Sequence, residues 1–180
     1  MHSIQKTSRL FRYFFILLFY VFIALDITYW ATSGQLFIFN NVKAFAELPG
    51  TIPPLTALPG LFRLFGFLAD LIPLAFNLII IYFLIRLFAL YEQLKIFTMQ
   101  NVRYYRMIGW TLLVKQMAYP FYQMLMTLIL TFNNPPGERS IGFGVSETDL
   151  TAIVTGLLLI LISWIMDEGR KLKEEQDKTI

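Results

Sequence analysis

Four long apolar runs, separated by polar or Pro- and Gly-punctuated connections, set the pattern of this chain. The first run, Phe11 to Ala31, follows Lys6, Arg9 and Arg12; the others cover residues 66–90, 107–132 and 150–166. A helix needs about 20 consecutive apolar residues to cross a bilayer. Strands are usually shorter than about ten residues, which excludes a β reading of these runs. The pattern predicts an all-α integral membrane four-helix bundle, a single membrane domain over residues 1–180. The basic lead of the first run also suits a cleaved signal peptide. Against that, the run is longer than a typical signal core, and the bulky Tyr29 and Trp30 stand where small residues precede a cut.

The connections differ in character. Residues 32–65 hold Gly34, Pro49, Gly50, Pro53, Pro54, Pro59 and Gly60, which argues against one continuous helix. They are also rich in Leu and Phe, so short interfacial helices are expected at Val42–Glu47 and Gly60–Leu64. Residues 133–149 form a polar turn around Pro135, Pro136 and Gly137. Lys and Arg residues orient the bundle. Ten lie in the N-terminal tail, the 91–106 loop and the 167–180 tail, and three (Lys43, Arg63, Arg139) lie in the other two loops. The expectation is therefore both termini in the cytoplasm, with 32–65 and 133–149 outside. Trp30 then falls at the outer interface and Trp110 and Trp164 near the inner one.

Composition agrees with the membrane reading. The chain is 57% hydrophobic and 15% charged, against about 25% charged residues in soluble domains. There is no cysteine, and the one histidine is His2. Thiol chemistry and His/Cys metal sites are thereby excluded, no cofactor is implied, and an enzyme is not expected. The basic residues are few and explained by topology, so direct nucleic-acid binding is not expected either.

Polar residues inside the runs carry the sharper hypotheses, because charge within a span is costly. Asp26, Asp70, Asn77 and Lys115 form a candidate intramembrane polar site. For Asp26, a protonated carboxyl or a pairing with Lys43, Arg63 or another span would relieve the cost. Lys115 either snorkels, pairs with an acid or holds a lipid phosphate. Arg86 lies nine residues after Asn77, half a turn round the helix, so the two cannot line one groove. Gln116, Tyr119, Gln123 and Thr127 form a polar stripe suited to interhelical hydrogen bonds, and Pro73 and Pro120 are expected to kink their spans.

Two cytoplasmic segments are dense in polar detail. In Ile96–Trp110, Thr98 suits a helix cap, and Arg103 and Arg106 share a face. Met166–Ile180 reads as a solvated helix leaving the fourth span. Asn101, Arg103, Arg106, Asp167, Glu168, Arg170 and Lys171 are the candidate partner face; headgroup contact is the plainer alternative. The phrases IFTMQNVRYYRMIGW and MDEGRKLKEEQDKTI resemble a bacterial integral-membrane family of unknown function that includes YoaS. The resemblance runs from about Phe67 onward. It implies four spans in the bacterial plasma membrane and a gene often placed beside a small Xre-type helix-turn-helix regulator, but no active site. A membrane sensor or anchor acting with that regulator is the first functional reading. A small transporter or channel subunit, built as a homo-oligomer because four spans leave little room for a pore, is the second.

Overall fold

The computed structural model describes residues 2–33, 53, 55–142 and 147–178. Four helices account for most of them: α1 His2–Ala31, α2 Gly60–Glu92, α3 Met99–Thr131 and α4 Glu147–Lys178, with a 3-10 turn Leu55–Ala57 ahead of α2. Among the described residues there is no strand. The helices have 30 to 33 residues. At 1.5 Å per residue each is about 45–50 Å long, more than the roughly 30 Å of hydrocarbon in a bilayer. Helix therefore continues past each apolar run into the polar flanks. Gly60–Leu64 is the first part of α2 rather than a separate interfacial helix. Pro59 caps it, its carbonyl accepting from the N–H groups of Phe62 and Arg63 at 3.0 and 3.1 Å. The segment Val42–Glu47 lies outside the described residues.

Helices α1, α2 and α4 are long and apolar enough to cross a membrane. Helix α3 is as long, but Gln100, Asn101, Arg103, Arg106, Lys115, Gln116 and Gln123 are spread along it and break up its apolar stretch.

The helices pack in chain order, α1 on α2, α2 on α3 and α3 on α4, each antiparallel to its neighbour. The end carrying Arg9, Glu92, Phe97 and Gly169 is called basal here, and the end carrying Trp30, Gly66 and Leu130 apical. The apical core gathers Trp30, Leu55, Leu58, Ala69, Met126 and Leu130 from three helices and the 3-10 turn. Small residues permit close approach, as is common between membrane helices. A Cβ on Gly109 would stand 2.7 Å from the Gly156 carbonyl, and one on Gly66 would overlap the Trp30 ring.

The turn from α2 to α3 is closed by a Schellman pattern. Leu94 donates to Tyr91 O at 3.0 Å and Lys95 donates to Leu90 O at 3.0 Å. Leu94 takes φ +60 at the position where glycine is usual. Thr98 then caps α3 as its sequence position predicts, its hydroxyl accepting from the Asn101 N–H at 3.4 Å.

Candidate functional site

Three helices meet at Asp70. The Trp30 indole N–H, from α1, donates to one of its oxygens at 2.9 Å. The Tyr122 hydroxyl, from α3, donates to the other at 2.7 Å. Asp26 is one helical turn before Trp30, so it shares that face of α1, and its carboxyl lies beside Asp70. One Asp26 oxygen is buried with no hydrogen-bond partner among the described residues. Arg63, considered as a counter-ion for Asp26, is held elsewhere: it donates to Leu58 O at 3.0 Å and to Ser33 Oγ at 2.9 Å. Lys43 lies outside the described residues.

Seven residues along each helix, Lys115 Nζ donates to Asn77 Oδ1 at 2.8 Å. The step of seven returns a helix to nearly the same face, and α2 and α3 run antiparallel. Asn77–Lys115 and Asp70–Tyr122 are thus successive rungs of one seam. A small cleft opens on this seam, lined by Ile72, Pro73, Phe76, Lys115, Ala118, Tyr119 and Tyr122. Pro73, which has no backbone N–H to give the helix, lines it. All four residues of the expected intramembrane site therefore lie on linked positions. Arg86 is separate from them, exposed over the ring of Tyr82 at 5.7 Å.

The polar stripe of α3 divides. Gln123 and Thr127 are buried, and the Thr127 hydroxyl donates to Gln123 O at 2.7 Å. Thr131 continues the line, donating to Thr127 O at 2.8 Å and Ser140 O at 3.0 Å, which folds the connection after α3 back over its apical end.

At the basal end the expected partner face also divides. Asn101 is buried, and its amide nitrogen donates to Lys95 O and Ile96 O, pinning the turn. On α4, Arg170 pairs with Asp167 at 3.0 Å and Glu174 at 2.6 Å, and Lys171 pairs with Glu168 at 3.1 Å. Arg103 and Arg106 are exposed. Phe97 packs against Gly169, where a Cβ would stand 3.5 Å from the ring, so the turn and the α4 extension lie side by side.

Sequence reasoning missed two participants. Trp30 and Tyr122 pass as ordinary interfacial aromatics, yet they supply both donors to Asp70; the available signal was their spacing of four from Asp26 and seven from Lys115. Glu92 was missed as well. It accepts from Arg9 at 2.7 Å and Arg12 at 2.9 Å, tying α1 to α2 just beyond the apolar stretch. These hydrogen bonds, Arg9 first and then Arg12, hold its carboxyl below the ordinary value of 4.5.

Among the described residues, no three His, Cys, Asp or Glu side chains are grouped to hold a metal ion. The arrangement is that of a helical membrane protein with an internal polar seam. The chain belongs to the family described as protein of unknown function (DUF2975), which it matches over residues 40–180. No curated protein and no solved structure matches it.

Proposed function

We propose that this is a four-span protein of the bacterial plasma membrane, with α3 as the remaining span and the basal end in the cytoplasm, and that it serves as a membrane sensor or anchor for a cytoplasmic regulator. The observation that carries the reading is the hydrogen-bonded seam through Asp26, Asp70, Trp30, Tyr122, Asn77 and Lys115. It links three helices within the apolar zone, and a change there shifts helices whose basal ends carry the Phe97–Gly169 surface. The Lys/Arg bias supports the orientation. A helix-turn-helix regulator of the Xre type is the partner implied by the resemblance to the family that includes YoaS. On this reading the α4 extension, with charges of both signs in register, is the docking element, and the protein has no enzymatic step of its own.

The test is co-purification of the intact protein with the regulator encoded beside it, repeated with Glu174→Lys and Lys171→Glu. Complex formation with the intact protein and its loss in these variants is the expected result; absence of any complex would sink the proposal. Because the chain has no cysteine, a single Lys173→Cys variant reports orientation independently. It is expected to react with impermeant maleimide only from the cytoplasmic side. A transporter or channel subunit is the second reading, favoured by the cleft beside Lys115. It would need an oligomer, and Asp26→Asn should then abolish ion flux into liposomes.

A further inference from the structure

The arginines fall into two groups. Arg9, Arg12, Arg63, Arg139 and Arg170 each donate to an oxygen within the fold. Arg86, Arg103 and Arg106 make no hydrogen bond or ion pair among the described residues, and Arg86 is engaged with the Tyr82 ring. That leaves Arg103 and Arg106, both exposed and one turn apart on α3. Their stripe continues at three-to-four spacing into exposed apolar side chains, Met107, Trp110 and Val114. Cationic residues give way to a thioether, an indole and then an aliphatic group, as at a headgroup layer passing into hydrocarbon.

The neighbouring helix completes this surface. Gly109 meets Gly156, and Phe97 meets Gly169. Arg103 lies midway between Phe97 and Gly109, so it stands level with the Ile162–Ser163 step of α4, next to Trp164. Ser163 is buried and Trp164 is 61% exposed, while Trp110 on α3 is 56% exposed. Trp110 follows Arg106 by about one helical turn, so the two guanidinium groups stand just basal to one outward-facing indole and near the level of the other.

We propose that Arg103 and Arg106, beside Trp110 and Trp164, bind the phosphodiester headgroup of an anionic phospholipid in the basal leaflet. Guanidinium forks suit phosphate oxygens bidentately, and the indoles fit the interface where glycerol and carbonyl groups lie. A soluble partner is the poorer fit, because the stripe runs on without a break into side chains that face acyl chains. The assignment rests on the reading above that α3 crosses the bilayer, and it does not depend on any cytoplasmic partner.

Native mass spectrometry of the detergent-purified full chain, offered equal amounts of phosphatidylglycerol and phosphatidylcholine, tests it. Each arginine near an anionic surface contributes about a fivefold preference, so with two of them the intact protein is expected to retain phosphatidylglycerol about 25-fold better. The double variant Arg103→Gln/Arg106→Gln is expected to lose that preference, and Lys173→Gln to keep it. Each single variant should lose part of it, which keeps the test open should the double variant fail to fold. Equal retention of the two lipids, a preference that survives in the double variant, or displacement of the lipid by inorganic phosphate would overturn the proposal.

Discussion

Lys115 and Asn77 meet at 2.8 Å halfway along α3 and α2, as far as possible from either end of the two helices. Asn77→Leu removes the amide oxygen that receives the ammonium and is expected to cost about 1–3 kcal/mol of stability. Lys115→Met removes the charge with it and should cost less. A double-mutant cycle between the two positions, read by unfolding in mixed micelles, is expected to give a coupling of roughly 0.5–2 kcal/mol. Additivity of the two changes would contradict the pairing.

Asp70 holds two donors from two different helices. Asp70→Leu leaves the Trp30 N–H and the Tyr122 O–H without their acceptor, each at a cost of about 1–3 kcal/mol. Trp30→Phe and Tyr122→Phe, which remove one donor apiece, are each expected to cost less than Asp70→Leu. Thermal unfolding of the three variants in one detergent checks the order.

The Gly109–Gly156 crossing makes a steric prediction. A methyl group at Gly109 meets the backbone carbonyl of Gly156 and the Ile160 side chain at 2.7 Å. Gly109→Ala is therefore expected to push α3 and α4 apart and to destabilise by about 1–3 kcal/mol. Gly60→Ala, with no atom within 4 Å of the added carbon, should be nearly neutral.

Glu92 makes a prediction about acid. Its carboxyl is held below the ordinary 4.5 by Arg9 and then Arg12. A depressed folded-state value means the unfolded chain binds the proton first as pH falls. The stability from this pair is present above about pH 4.5 and is lost as the pH drops through the lower, folded-state value. Glu92→Gln should remove that part of the acid sensitivity, seen as a flatter stability profile below about pH 5, and should weaken the tie between α1 and α2 at neutral pH.

Much of this was legible in the chain because the signals were local. The apolar runs located four helices, and Thr98 marked the start of α3. The half-turn offset between Asn77 and Arg86 is what the structure has. Helix ends were less legible, because Lys, Arg, Glu and Gln favour helix as readily as they favour water. So α2 reaches Glu92 and α4 reaches Lys178, past the last apolar residues. Partner choice was the least legible. Nothing local to Asp70 names Trp30, 40 residues away, or Tyr122, 52 residues away. Asn101 reads as a surface group, and only the fold shows its amide turned inward onto Lys95 and Ile96.

Packing in chain order has a consequence for biogenesis. Every extensive helix contact joins neighbours along the chain, so each helix emerging from the ribosome finds its docking surface already made. Trp30 waits for Asp70, Asp70 for Tyr122, and Gly109 for Gly156. The polar side chains of α3 pack only after α2 has presented the amide and the carboxylate that receive them.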